Sequence, residues 1–323
     1  MTIQVTKKPI NLREKLNELE TNKGLKGNEI LQAETAQEVR SLIGAGRKNL
    51  IINGGFDVWQ RGTSGTTGFI ADRWYVAHSS ATTKDGNSLK MVASSTDPYL
   101  IYNVEDVGMR LADKTVTLSF LLKTSTGNNT VQYVTYSGSG AKSTTTGIVD
   151  ADGFQKHTVT FTLDSTSYTD RHRLIFELEP TSGITIWIKE VQLELGSTAT
   201  DFEHRSYGEE LALCQRYYYR INNTSNNPAV AVLTRWDNTT WYGVIDFPVT
   251  MRTKPTGSRS SATALNLFDS SSIRASISIT LPTNESTETQ AEITAAVSGF
   301  TGHAGWVRFS GSGTGWLAWS AEL

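Results

Sequence analysis

Trp236, Trp241 and Tyr242 flank the polar run Asp237-Asn238-Thr239-Thr240, a spacing that reads as a hairpin tip carrying flat apolar rings beside a carboxylate and an amide. Such rings stack on the C–H face of a sugar, while neighbouring Asp, Asn, Arg and Gln groups hydrogen-bond its hydroxyls. Trp306, Trp316 and Trp319 surround Gly-rich turns near the end of the chain, and Trp316 joins Trp236, Asp237, Asn238, Trp241 and Tyr242 as a candidate binding residue. Packing in a core is the competing reading for every one of these rings. Trp59, Trp74 and Trp187 are read as core, and Tyr217-Tyr218-Tyr219 as packing between two β regions, because adjacent residues leaving a helix point in different directions.

Other reactive groups do not assemble into a catalytic pattern. Asp57, Asp72, Glu105 and Asp106 are carboxylates of the type a glycosidase pairs, but the mechanism of such a pair is defined by a separation that spacing in sequence does not give. The five histidines are scattered, none at a metal-ligand spacing. Gly138 to Ser143 has the outline of a phosphate loop, yet Tyr136 and Ala141 stand where glycines belong, so a hairpin loop is expected. Gly311 to Gly315 lacks the spacing of a dinucleotide fingerprint. Cys214 is the single cysteine, which excludes an intrachain disulfide and a thiolate zinc cluster. No catalytic residue is assigned, and the chain is not expected to be an enzyme.

The elements that must position these residues are mostly strands. Charged residues make up 19% of the chain while Ser, Thr, Gly and Asn are abundant, a mix suited to short strands and turns. Val116, Leu118, Phe120 and Leu122 alternate with Thr115, Thr117, Ser119 and Leu121, as Val159, Phe161 and Leu163 do with their threonine neighbours. Ile184, Ile186 and Ile188 change phase to Val191, Leu193 and Leu195 across Lys189-Glu190, which requires a β-bulge. Ser206 and Glu209 form a capping box that opens a helix of about three turns with Leu211, Cys214 and Tyr218 on one face. Beyond it, 229–233, 241–247, 273–281, 290–297, 306–310 and 316–319 read as strands. Before residue 49, Leu12, Leu16 and Leu19 and then Thr35, Glu38, Val39, Leu42 and Ile43 predict two short helices, too short to be stable without a partner.

The expected architecture is therefore all-β: a short helical N-terminal arm over 1–48, a jelly-roll β-sandwich over 49–205, a helical connector over 206–220 and a second, smaller β-sandwich over 221–323. A net charge of -2 gives counterion release no source, so nucleic acid is not an expected partner. No apolar run reaches the roughly 20 residues that span a bilayer and no secretory leader is legible, so membrane insertion is not expected and synthesis in a cytoplasm is.

Three segments carry a family resemblance. Asn49 to Trp74 (NLIINGGFDVWQRGTSGTTGFIADRW), Trp187 to Gly196 and Asp201 to Tyr219 together resemble modules of bacteriophage tail-fibre and related receptor-binding proteins, and Ala36 to Gly46 and Phe247 to Thr256 resemble a fibre neck and a fibre C-terminal domain. The resemblance implies a carbohydrate-binding type of jelly roll, a connector and a C-terminal β domain. It further implies a homotrimeric, non-catalytic virion fibre, attached to a phage tail or capsid protein through the arm and binding host-surface polysaccharide. A capsid head fibre or decoration protein, and a polysaccharide depolymerase, are the alternatives. Asp57, after the Asn53-Gly54-Gly55 turn, and Glu190 occupy positions where related jelly rolls hold a structural calcium ion, although Glu190 replaces the more usual Asp and a salt bridge competes with a metal there.

Overall fold

In the computed structural model, the residues described are 48–93, 98–105, 111, 113–126, 129–137, 141–149, 153–162, 175–180, 182–223, 229–260, 264–268, 273–277, 279–281, 286–296, 303–310 and 315–322. The two helices expected before residue 49 lie outside them. The first region holds β1 (Ser64–Gly65), β2 (Gly68–Phe69), β3 (Trp74–Ala77), β4 (Ser79–Asp85), β5 (Ser88–Ala93), β6 (Tyr99–Asn103), β7 (Thr115–Thr124), β8 (Asn129–Ser137), β9 (Ala141–Val149), β10 (Gln155–Thr162), β11 (Ile175–Pro180) and β12 (Thr185–Leu195). Helix α1 (Tyr207–Gln215) follows, and then β13 (Tyr218–Asn222), β14 (Ala229–Arg235), β15 (Thr240–Asp246), β16 (Thr256–Arg259), β17 (Ala264–Phe268), β18 (Ile273–Ile277), β19 (Ile279–Thr280), β20 (Gln290–Ala296), β21 (Ala304–Ser310) and β22 (Trp316–Ser320).

The first twelve strands form two six-stranded antiparallel sheets, β1-β4-β5-β12-β7-β10 and β2-β3-β6-β11-β8-β9. Trp74, Val76, Leu100 and Tyr102 from one sheet and Leu89, Met91, Leu118 and Ile186 from the other fill a single core, so the pair is a β-sandwich of jelly-roll form. The phase change anticipated at Lys189-Glu190 is present: β12 slips register against β7 between Lys189 and Gln192, and Glu190 takes a positive φ of 54°. On either side of the glycine-containing stretch after Tyr136, β8 and β9 pair antiparallel with Ser137 opposite Ala141, while 138–140 themselves lie outside the described residues. Thr117 and Ser119, expected on the solvated face of β7, are buried as well, because the segment after β12 crosses that face and Thr117 Oγ1 donates to Gly196 O at 2.7 Å.

The second region builds a three-stranded sheet, β13-β22-β16, against a seven-stranded one, β18-β17-β21-β14-β15-β20-β19. Leu317 and Trp319 from the first meet Leu233, Trp241, Leu265, Ile293 and Phe309 from the second in their own core. Five of the six strands read from the sequence after the connector recur here within a few residues; the sixth, 273–281, is instead two strands, β18 and β19, at opposite edges of the seven-stranded sheet, and β13, β16 and β17 were not anticipated. Helix α1 carries the expected capping box, but it stops at Gln215. Tyr218, expected on its apolar face, instead opens β13 and pairs with Ser320, because three successive tyrosines favour extended backbone over helix. No helix among the described residues is long and apolar enough to cross a membrane.

The recognisable opening segment holds the two regions together. Asn53, at φ 59°, donates through Nδ2 to Val58 O and Asp72 O, accepts from Val58 N at Oδ1, and donates its own N–H to Glu210 Oε1 of α1 at 2.6 Å. Gly54 must be glycine: a Cβ there would stand 2.0 Å from Val191 O. The Arg73 guanidinium lies 3.6 Å from the centre of the Tyr217 ring and pairs with Glu322, while Arg61 bridges Asp72 and Glu322 and covers Tyr218 at 3.5 Å. Tyr217 and Tyr218 therefore pack between the regions as the sequence implied. Tyr219 turns to Phe247 and Trp319 of the second core.

Candidate functional site

Three central strands of the seven-stranded sheet, β21, β14 and β15, bury one set of side chains and leave the other facing outward. Strand geometry sends alternate residues to opposite faces. Leu233, Trp241, Ile245, Val307 and Phe309 go inward, and Val232, Thr234, Tyr242, Val244, Trp306 and Arg308 go outward. The outward set includes apolar residues where a solvated face would carry polar ones: Trp306 is 52% exposed and Val232 53%.

Register assembles these residues into rows. Trp306 of β21 pairs with Phe268 of β17 on one side and Val232 of β14 on the other. The β14–β15 register, which sets Leu233 against Gly243, continues to bring Val244 opposite Val232. Phe268, Trp306, Val232 and Val244 thus form an apolar band across four neighbouring strands, three gaps of about 4.8 Å each. A second row runs Ala304, Thr234, Tyr242, Thr294. Hydrogen-bonding side chains edge both rows: Arg308, which lies over the Phe268 ring at 5.7 Å, and Asn266 opposite it. Gly243 is needed between them, since a Cβ there would meet Val232 O at 2.4 Å and push the two strands apart.

The β14–β15 hairpin stands at the end of this face. Asp237 Oδ1 accepts from Thr239 N at 2.7 Å, Thr240 N at 2.8 Å and Thr239 Oγ1 at 3.0 Å. The backbone donors of Thr239 and Thr240 hold its carboxyl down at about 2, so it is ionised at any ordinary pH. Arg235 braces the same turn, donating to Asp237 O at 2.9 Å and Asn238 Oδ1 at 2.5 Å. With the loop fixed, Trp236 projects 78% exposed and meets Tyr242 edge-on at 5.9 Å between ring centres.

Of the six binding residues proposed from sequence, Trp236, Asp237, Asn238 and Tyr242 come together. Asp237 shapes the turn with Oδ1, and Asn238 has its carbonyl taken by Arg235, which turns its amide donors to solvent. Trp241 must be corrected: it is fully buried in the second core, because it neighbours Tyr242 along a strand and the two cannot share a face. Trp316 is corrected as well. It lies in the three-stranded sheet opposite Asn222, half-buried beneath Arg220 at 4.8 Å, away from the outward rows. Trp306 had been noted only for its nearby glycines, and Phe268, Val232 and Val244 not at all. The alternation Trp306-Val307-Arg308-Phe309 held the signal, but either phase of such a strand looks apolar enough to be the inner one.

The candidate calcium residues Asp57 and Glu190 flank the Gly54-Gly55 turn. The Gly54-Gly55 turn touches β12 beside Glu190, with Val191 N donating to Gly54 O at 2.9 Å, yet Glu190 is paired with Lys189 at 3.2 Å and Asp57 leans back over Gly55. Calcium takes six to eight oxygens. Among the described residues no three His, Cys, Asp or Glu side chains group so as to hold a metal. The salt bridge at Glu190 is the arrangement seen.

Two of the four candidate catalytic carboxylates, Asp72 and Glu105, are engaged in structural contacts. Asp72 is wholly buried, accepts from Gln60 N at 2.7 Å and Gln60 Nε2 at 2.8 Å, and is raised to about 6 chiefly by burial, with Arg61 opposing. Glu105 accepts from Arg216 at 3.0 Å and Tyr217 Oη at 2.5 Å; those hydrogen bonds outweigh partial burial and lower its pKa. Asp57 is exposed, and Asp106 lies outside the described residues.

No protein-family model and no curated protein matches the chain. Among solved structures it is similar to the N-terminal cellulose-binding domain of β-1,4-glucanase C from Cellulomonas fimi, at 17% identity over 45% of this chain and 95% of that one, with a TM-score of 0.31. It is also similar to the CBM22-1 xylan-binding domain of Xyn10C from Paenibacillus barcinonensis, at 15% identity over 48% and 100% of the two chains, TM-score 0.31. A cyclase from Fischerella sp. is similar at 14% identity over 48% and 98%, TM-score 0.34.

Proposed function

We propose that the chain is a non-catalytic polysaccharide-binding protein of a bacteriophage fibre, and that the outward face of the seven-stranded sheet is its binding surface. One observation carries the reading: Phe268, Trp306, Val232, Val244, Tyr242 and Trp236 present a broad apolar surface edged by Thr234, Asn266, Asn238 and Arg308. An extended sugar chain offers the complementary surface, C–H patches alternating with hydroxyls, and a flat sheet suits a polymer better than a pocket would. The likeness of 49–74, 187–196 and 201–219 to fibre modules supports the virion setting and the attachment of the arm to a tail or capsid protein. Homotrimerisation through that arm belongs to the same proposal; three weak sites on one particle reinforce one another once the first is engaged.

Catalysis is left out of the reading because Asp72 and Glu105 are committed to structural partners. The test is retention of the full chain on bacterial surface polysaccharides of known length, compared with a Trp306→Ala variant. Retention of the wild type with no shortening of the polymer, weakened about tenfold in the variant, is the expected result. Shortening would favour a depolymerase, and no retention a structural head fibre or decoration protein. Self-association that weakens in Trp306→Ala while sugar retention is absent would turn the face into a contact between copies. A monomeric mass at micromolar concentration would remove the trimer from the proposal.

A further inference from the structure

One end of the outward face of the seven-stranded sheet carries an uncommitted cation. Arg308 is exposed on β21, two residues along from Trp306, and its guanidinium lies over the Phe268 ring at 5.7 Å. Asn266 stands opposite it on β17, half-buried. Among the described residues neither side chain has a hydrogen-bond or ion-pair partner, so the guanidinium fork and the Asn266 amide keep their donors for a ligand. Phe268 fixes where the fork sits, because cation–π attraction to the ring restricts the rotamers that Arg308 samples. Arg235, the other arginine near this face, is spent on the hairpin turn.

The carboxylates of the face lie at its other side. Continuing the register puts Asp246 of β15 in or next to the row of Arg308, with β14 between them, and Glu292 of β20 stands opposite Val244. Two strand gaps of about 4.8 Å each therefore separate the Arg308 and Asp246 backbones. Asp246 Oδ1 accepts from Gln290 Nε2 at 2.7 Å, and Asp237 Oδ1 is taken by its own turn. Between the two charged sides run Val232 and Val244, which offer apolar contact alone.

We infer that Arg308 and Asn266 form a carboxylate subsite, so that the polymer bound is one carrying a uronate at intervals among neutral sugars. The inference rests on the sheet-face reading proposed above and sharpens it. A guanidinium fork pairs in plane with both oxygens of a carboxylate, and one fork matches one unit of negative charge. A phosphomonoester, with nearly two charges, would find only this one cation. The adjoining sugars have to be neutral. A carboxylate seated on Arg308 is about a Debye length from Asp246 at physiological ionic strength, where exposed charges are largely screened. Carboxylates on the next sugars along the apolar band would instead come up against Asp246 and Glu292.

The test takes bacterial surface polysaccharides, deacylated gellan and hyaluronan among them, each intact and after carbodiimide activation and borohydride reduction have turned its carboxylates into hydroxymethyl groups. Affinity of the full chain is measured for each pair. The polymer retained most tightly carries a uronate, and its reduced form binds about tenfold more weakly. Arg308→Gln brings the intact polymer down to that same level with an unchanged thermal midpoint, and Arg308→Lys, which keeps the charge and loses the fork, recovers only part of the difference. Polygalacturonate, acidic at every sugar, binds more weakly than the best mixed polymer. Equal binding of the intact and reduced forms, with both weakened in Trp306→Ala, overturns the inference and leaves the sheet-face reading standing. Wild-type retention in Arg308→Gln does the same, and polygalacturonate bound as tightly as the mixed polymer removes the need for neutral neighbours. Retention of no polymer at all overturns the subsite and the sheet-face reading together.

Discussion

Residues 49–74 and the outward face of the seven-stranded sheet differ in every respect that matters for function. The first is the most recognisable stretch of the sequence, and the fold consumes it. Phe56, Arg73 and Trp74 are buried, Asn53 is saturated with hydrogen bonds, and Asp72 is enclosed between Gln60 and Arg61. The second has no motif, yet its rings are open to solvent. A segment that binds two β regions through buried polar groups tolerates few alternatives, since each unsatisfied group costs about 1–3 kcal/mol. A binding surface needs only the right faces outward, and strands of many compositions supply that. Recognisability here marks structural constraint, and chemistry has to be sought by asking which rings the strands leave uncovered.

The widest gap between the two regions should appear in stability. Trp74→Ala removes a fully buried ring packed on Phe56 and Tyr102 at 4.8 Å, and strips Asn53 O of its donor, Nε1 at 2.9 Å. A cost of about 3–5 kcal/mol is expected. Trp306→Ala, on the open face, should lie within about 0.5 kcal/mol of wild type in the same denaturant titration. Equal losses from the two substitutions would break the distinction between a structural segment and a free surface.

The junction should also respond to pH. Asp72 has its carboxyl raised from 3.8 to about 6, so the folded chain binds a proton there that the unfolded chain releases. Its ionisation therefore opposes folding: the cost is fully present above pH 6, shrinks as pH falls from 6, and is gone below 3.8. The whole effect is on the order of 3 kcal/mol. His157, pushed down by burial, and Glu105, also lowered, act in the opposite sense as pH falls, so the measurement is a difference. Between pH 7 and 5 the stability of wild type relative to Asp72→Asn should rise. A flat difference would mean that Arg61 keeps Asp72 ionised throughout.

On the sheet face the effects move to binding. Trp236→Ala and Trp306→Ala should each weaken polysaccharide retention about tenfold, with unchanged thermal midpoints, whereas Asn238→Ala should weaken it less because only its amide donors face outward. Unchanged retention in both tryptophan variants would detach the aromatic face from function altogether.

How much of this was readable follows from the period of each element. Alternation in β7 and the phase slip in β12 were legible because a buried face leaves a regular apolar mark, and one inserted residue must invert it. Strands β16, Thr-Gly-Ser-Arg, and β13, Tyr-Tyr-Arg-Ile-Asn, bear no such mark; pairing with β22 makes them strands, and pairing is a long-range fact. The hairpin tip was legible from its polar run between aromatics. Which of Trp241 and Tyr242 faces solvent was not, because both are aromatic and only the packing of Leu233 and Ile293 against the inner face decides it. Trp306 and Phe268 became neighbours through a register across β21 and β17, and no local spacing encodes that.

The smallest effect tests how the helix serves the junction. Ser206 Oγ accepts from Glu209 N at 3.4 Å, and Glu209 Oε2 accepts from Ser206 N at 3.2 Å, a cap that is exposed and long. Ser206→Ala should therefore cost about 0.5–1 kcal/mol, the low end for such caps. The same first turn carries Glu210, which is buried, accepts from Asn53 N at 2.6 Å and pairs with Arg205 at 3.2 Å. If the cap only trims the helix end, Asn53 and Glu210 hold their geometry and the loss stays within that range. If the turn frays, the opening segment loses its anchor on α1, and Ser206→Ala should then reduce the additional loss caused by Asn53→Ala in a double-mutant cycle. Additivity of the two substitutions would show that tertiary contacts, and not the cap, fix the helix against the recognisable segment.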